Sequence, residues 1–163
     1  PQEVRQGAPL DIAPRHLRAI QRAMHATCNN RRGTAYGSRV LAEGMEIAGK
    51  TGTSQVRNIT MAERARGVFR NEDLPWERRD HALFVGYGPS PAPRYAVSVI
   101  VEHGGGGSAA AAPIARDVLL RTMHGDMPPL DAYPASQRER IEEEQRALPL
   151  RGDDDGDTPR SRA

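Results

Sequence analysis

Residues 44–56, "GMEIAGKTGTSQV", decide the fold because they admit two incompatible readings. Gly44 followed by Gly49-Lys50-Thr51 satisfies G-x-x-x-x-G-K-[ST], the loop whose amides cradle nucleotide phosphates. Lys50-Thr51-Gly52 also satisfies the Lys-Thr-Gly pattern that forms one wall of acyl-transfer sites in certain serine enzymes. The first reading needs a helix that begins at Lys50-Thr51, so that its dipole faces an anion. The second needs the same residues extended.

The residues around the motif favour the strand. "RVLAE" before Gly44 is a poor strand, and "MEIA" would fill a phosphate loop with bulk. A helix starting at Thr51 would meet Gly52, Thr53 and Val56, and the glycine alone costs about 1 kcal/mol there. Glu102, after the apolar "VSVIV", imitates the acidic partner of a nucleotide site and is the strongest point for the phosphate reading; the helix failure outweighs it. On a strand, Thr51 and Thr53 point to one face with their side chains about 7 Å apart, placed to hold one substrate carboxylate. Gly52 between them keeps the backbone clear for a peptide or a strained ring. The Thr53 amide can then meet a carbonyl oxygen turning into an oxyanion, a donor worth about 3 kcal/mol in other enzymes. Lys50 adds a positive charge, whose attraction for a carboxylate at about 4 Å is substantial in a partly screened site.

Composition strengthens the case for Lys50. The 163 residues carry 23 basic and 21 acidic side chains, a net charge of +2, and every basic residue except Lys50 is arginine. Where a solvated charge suffices, this chain uses Arg; a surviving lysine marks a place that needs a compact ammonium rather than a wide guanidinium fork. So small a net charge gives little field for holding a polyanion, and nucleic acid is not expected as a partner. Cys28 is the lone cysteine, so no intrachain disulfide is expected; on a predicted helix it reads as a small buried hydrophobe. No run approaches the roughly 20 apolar residues of a membrane span, and "PQEVRQGAPLD" lacks the basic flank and apolar stretch of a signal peptide. Any address label is expected outside this chain. No metal and no cofactor are expected.

Along the chain, Pro14 opens a helical pattern over about 14–28 with Leu17, Ile20, Met24 and Thr27 or Cys28 on one stripe. "NNRRGTAYGS" breaks it as a loop. The extended segment over residues 45–56 is followed by a polar excursion to Asp80, with a short helix expected near 60–66 and Trp76 expected as a packing anchor without an aromatic neighbour. "HALFVGYG" and "RYAVSVIVEH" read as strands joined by the hairpin connection "PSPAP"; the second, apolar on both faces, is expected to be buried on both. Asp80 and His81 open the first of these strands in a structural role, and His103 with its four following glycines reads as a strand-to-helix turn. The next helix carries Ala111, Ala115, Val118, Leu119 and Met123 on its stripe and ends near Gly125. From 128 to 163 the chain reads as a polar, largely disordered tail with room for a short helix over 136–147, in which Ile141 and Leu148 cannot by themselves bury a face. Three antiparallel strands with one helix on each side leave sheet edges and core faces uncovered, as though a domain had been cut through.

"AGKTGTSQV", then "RDHALFVGYGP", "RYAVSVIVEHGGGGS" and "AAPIARDVLL", resembles in this order the C-terminal third of the transpeptidase domain of the penicillin-binding protein 2 family, from about Pro9 to Met127. The resemblance implies an α+β fold, an antiparallel sheet flanked by helices, of the penicillin-binding and β-lactamase type, with residues 1–127 an incomplete domain. It implies a class B peptidoglycan D,D-transpeptidase, active in cell elongation through a serine acyl-enzyme and a target of β-lactams. Of that family's three motifs only Lys-Thr-Gly is present: Ile47 stands where Ser-x-x-Lys needs its serine, and no serine here has Asn two positions on. The chain alone is therefore expected to be inactive. By carry-over Lys50 is the catalytic residue of this portion, and Thr51, Gly52 and Thr53 bind substrate. The implied partners are the peptidoglycan stem peptide, β-lactams, the remaining N-terminal part of the same protein and membrane proteins of the elongation machinery. The implied place is the periplasmic face of the inner membrane, anchored by a segment outside this chain. The alternatives are a carboxypeptidase, β-lactamase or β-lactam sensor on the same fold and, further off, a nucleotide-binding protein or a non-catalytic binding module.

Overall fold

The computed structural model describes residues 11–56, 58, 61–67 and 70–148. Helix α1 (Pro14–Asn29) leads through a loop to strand β1 (Ala48–Ser54). A short helix α2 (Met61–Arg66) and two single 3-10 turns carry the excursion to β2 (His81–Gly88) and β3 (Tyr95–Val101). A π-helical turn (Gly107–Ala111) then enters α3 (Ala112–His124), and α4 (Arg138–Ala147) follows. The strands form one antiparallel sheet in the order β1-β2-β3. Lys50 and Thr51 sit in the middle of β1, not at a helix start, which rules out the phosphate-loop reading.

Register divides the sheet into two unlike faces. Thr51 opposes Phe84, Thr53 opposes Ala82, and Val99 and Val101 continue those rows on β3. Residues directly opposite share a face, so the two threonines lie on the side of Phe84 and Ala82, both buried. That side is closed by the π turn and α3 through Ala111, Ala112, Ala115, Leu119 and Leu120. The opposite side carries Lys50, Val85, Ser98 and Ile100, and Ile100 is 63 % exposed. The expectation that β3 is buried on both faces is thus corrected. Its apolar residues Ala96 and Ile100 meet solvent within the described residues, because the π turn and α3 cover the other side.

Glycine sets how closely the layers approach. A Cβ at Gly49 would stand 2.1 Å from the ring of Phe84; the bare backbone gives that ring the room it occupies against β1. A Cβ at Gly107 would stand 2.3 Å from the carbonyl oxygen of Leu83 and 2.5 Å from that of Gly52. The π turn therefore rests directly on the backbone of the Lys-Thr-Gly strand.

Four details depart from the sequence reading. Leu17 and Ile20 of the α1 stripe are exposed, Ile20 by 53 %; only Cys28, on the last turn, is buried. Trp76 is 56 % exposed and does have an aromatic neighbour, the ring of His103 at 4.3 Å, brought from the far end of β3. Val118 of the α3 stripe is exposed, whereas Arg116 is wholly buried. Its Nε donates to Asp117 at 2.8 Å, its Nη1 donates to Gln137 Oε1 at 2.6 Å, and its plane lies over Tyr133. Ile141 is only 3 % exposed, so α4 buries its one aliphatic side chain, with Tyr133 and Ala132 in the same core; Leu148 stays exposed. The "RGDDDGDTPRSRA" stretch lies outside the described residues.

Cys28 behaves as the small hydrophobe expected. Burial pushes its thiol from the ordinary 9.0 up to about 12, against a smaller lowering by a hydrogen bond with the Gly49 backbone. The folded protein holds this proton where the unfolded chain releases it. The stability it contributes is therefore complete below pH 9.0 and is lost as pH rises toward about 12. The native protein should resist an aromatic disulfide reagent at pH 8 and react stoichiometrically in denaturant; equal rates in both states would refute the burial.

Candidate functional site

The site is built on an edge strand. β1 pairs with β2 on one side only among the described residues, so its other backbone edge is open to accept an extended ligand. Lys50 is exposed, and its ammonium turns along the strand to donate to the carbonyl oxygen of Thr51 at 2.5 Å. Gly52 opposes Leu83, and the nearest atom to a hypothetical Cβ there is Leu83 Cβ at 3.3 Å. Thr53 is exposed and Thr51 half-buried. The structure thus places Lys50, Thr51, Gly52 and Thr53 consecutively on one open edge, with the two hydroxyls on the core side and the ammonium on the other.

Three elements hold that edge in place. Asn29, at the end of α1, donates from Nδ2 to the carbonyl oxygen of Ile47 at 2.9 Å, which anchors the chain as it enters β1. The π turn covers the strand's backbone through Gly107. The loop after α1 touches the strand through one side chain: Thr34 Oγ1 lies 2.8 Å from Thr51 Oγ1. Sequence reading missed Thr34, because a threonine in a glycine-containing loop carries no signal of its own. It also missed the special position of Gly107 among four equivalent-looking glycines.

The histidines lie beside the Thr53 end of β1, where Ser54 opposes His81, and brace the open end of the β2–β3 hairpin. The backbone N–H of His103 donates to His81 Nδ1 at 2.9 Å, and His103 Nδ1 donates to the carbonyl oxygen of Arg79 at 2.9 Å. His103 takes a left-handed φ of 54°, so these bonds secure an uncommon conformation for a non-glycine residue. Asp80 exchanges bonds with Asn71, donating from its N–H to Asn71 Oδ1 at 2.9 Å and accepting from Nδ2 at 3.2 Å. Asp80 and His81 therefore have the structural role expected for them, tying the excursion and the β3–α3 turn to the start of β2. A cavity of about 430 Å³ lies between α3 and the C-terminal segment, lined among others by Val118, Tyr133 and Ile141. None of its lining residues belongs to β1.

Comparison with known proteins gives a consistent result. Residues 2–120 match the penicillin binding protein transpeptidase domain. The chain is 34 % identical over 129 residues to the peptidoglycan D,D-transpeptidase MrdA of Haemophilus influenzae, covering 77 % of this chain and 19 % of that protein. Over 67 residues it is 48 % identical to the protein of the same name from Acinetobacter baumannii, covering 40 % of this chain and 9 % of the relative. Among solved structures, penicillin-binding protein 2 of Helicobacter pylori in its complex with MreC superposes with a TM-score of 0.52 at 30 % identity, over 68 % of this chain and 18 % of that one. The chain thus spans about a fifth of the length of the Haemophilus influenzae and Helicobacter pylori relatives. With the Lys-Thr-Gly strand, its antiparallel partners and the covering helix all present, the chain belongs to the penicillin-binding protein transpeptidase domain family and, within it, is similar to penicillin-binding protein 2.

Proposed function

We propose that this chain supplies the Lys-Thr-Gly wall of a peptidoglycan D,D-transpeptidase. The observation that carries the reading is the extended, edge-exposed run Lys50-Thr51-Gly52-Thr53 in a chain of this family. In the complete protein a serine supplied from outside this chain attacks the penultimate D-Ala carbonyl of a stem peptide. D-Ala leaves, and the acyl group passes to the amine of a neighbouring stem. Lys50 contributes positive field and supports the proton relay, Thr51 and Thr53 hold the terminal carboxylate, and Gly52 leaves room for the acyl chain. A β-lactam enters the same site and traps the serine. With no Ser-x-x-Lys in its sequence, the chain by itself does not acylate.

The exposed face of Val85 and Ile100 supports a second element of this reading: the remainder of the transpeptidase domain, from the same polypeptide, covers it. We place the boundary between the transpeptidase portion and an appended C-terminal segment at 127/128, a few residues beyond the family match. No helix among the described residues is long and apolar enough to cross a membrane. The periplasmic placement and the anchor are assigned to the full-length protein by analogy with its relatives, as are partners in the elongation machinery, the Helicobacter pylori relative having been solved with MreC.

The test is covalent labelling. The full-length protein incubated with fluorescent penicillin should carry one label per chain through denaturing electrophoresis, and this chain alone should carry none. With a D-Ala-D-Ala stem peptide and an acceptor amine, cross-linked product should exceed hydrolysed product; the reverse would make the enzyme a carboxypeptidase. Saturable ATP binding without penicillin labelling would refute the assignment.

A further inference from the structure

Resting on the transpeptidase reading, we propose that Thr34 is a further positioning residue of this site, acting through Thr51 to fix the direction in which the Thr51 hydroxyl offers its proton to a carboxylate. The two hydroxyl oxygens are 2.8 Å apart. A threonine hydroxyl has one proton to give and two lone pairs to receive. When Thr51 donates to a bound carboxylate its oxygen still accepts, and Thr34 is the neighbour placed to donate to it. The chain Thr34 to Thr51 to carboxylate then runs in one sense, each bond polarising the next. With Thr34 removed, the Thr51 rotor loses its second anchor and must be ordered by the ligand itself.

Thr34 qualifies for this role because its loop is held on every side. Gly33 N–H donates to the carbonyl oxygen of Asn30 at 2.8 Å, and Ala35 N–H donates to that of Thr27 at 3.0 Å, which locks the residues flanking Thr34 to the end of α1. Farther along, Leu41 N–H donates to the carbonyl oxygen of Ala132 at 2.8 Å, and Gln137 Nε2 donates to that of Gly37 at 2.7 Å. Gln137 is itself fixed by the buried Arg116 through the 2.6 Å bond to its Oε1. The segment that follows the family match, which ends at residue 120, thus braces the loop that presents Thr34 to the substrate strand. Thr34 is exposed, so replacing it leaves the core untouched.

The experiment separates affinity from chemistry in the full-length protein by measuring the concentration dependence of penicillin acylation. Thr34→Val keeps the shape and removes the hydroxyl; it should raise the apparent dissociation constant about two- to tenfold, the loss of one neutral hydrogen bond, while the limiting acylation rate changes by less than about twofold. Thr34→Ser should restore the wild-type constant, and the melting temperature of both variants should match wild type. The inference is overturned if Thr34→Val titrates like wild type or if Thr34→Ser is as impaired as Thr34→Val. It is equally overturned if affinity and rate fall together with the melting temperature, the mark of a merely structural residue. A wild-type protein that penicillin does not label would remove the transpeptidase reading and this inference together; a labelled wild type with an unchanged Thr34→Val removes this inference alone.

Discussion

Replacing Lys50 by alanine in the full-length protein should reduce the rate of penicillin labelling by at least about a hundredfold, the loss that follows removal of one preorganised group facing developing negative charge. The melting temperature should stay within a degree or so of wild type, since an exposed surface side chain contributes little to stability. The more informative variant is Lys50→Arg. In a chain where every other basic residue is arginine, a site needing only positive charge would accept guanidinium. The ammonium here turns back along the strand to the Thr51 carbonyl at 2.5 Å, a compact geometry that a planar fork cannot reproduce. Lys50→Arg should therefore label nearly as poorly as Lys50→Ala. Labelling of Lys50→Arg at the wild-type rate would reduce Lys50 to a generic charge.

Gly107→Ala should destabilise the Lys-Thr-Gly strand directly. The added Cβ falls 2.3 Å from Leu83 O, 2.5 Å from Gly52 O and 2.9 Å from Gly52 N. All three are backbone atoms of paired strands, so relief requires either the π turn to lift off the sheet or β1 to shift against β2. Overpacking of this kind costs about 1–3 kcal/mol and sometimes more; with an unyielding backbone as the neighbour, the upper end applies. The full-length variant should melt several degrees lower and lose penicillin labelling, because the displaced atoms belong to the strand that carries Thr51 and Thr53. Gly106→Ala is the matched control: nothing lies within 4 Å of its Cβ, and its φ of −93° suits any residue. Equal melting temperatures and labelling for Gly107→Ala and Gly106→Ala would show that the close approach at Gly107 does not govern the site.

Much of the architecture is legible in the sequence. The α1 start at Pro14, the end of α3 before Gly125 and the strand character of β1, β2 and β3 follow from local residue chemistry, and local rules act within a few residues. Burial was less legible. The both-faces pattern of β3 and the stripe of α1 read as fully covered, but their outward residues are exposed. Hydrophobicity reports what a residue would pack against if something were there, not whether it is there. The opposite error occurred at Arg116 and Ile141, where polar surroundings concealed buried side chains. Arg116 is buried because Gln137 and Tyr133 meet it from 17 or more positions away.

The sequence by itself determined the make-up of the candidate site: a lone lysine, two hydroxyl residues and an intervening glycine, followed by residues that favour an extended backbone over a helix. It determined the order of elements too, since each is encoded by neighbours along the chain. Tertiary structure alone decided which hydroxyl meets Thr51, which glycine rests on the Lys-Thr-Gly strand, and that Gln137 reaches Gly37 across 100 positions. Contacts between residues far apart in sequence are selected by the packing of the whole sheet and its helices, and no local pattern records them.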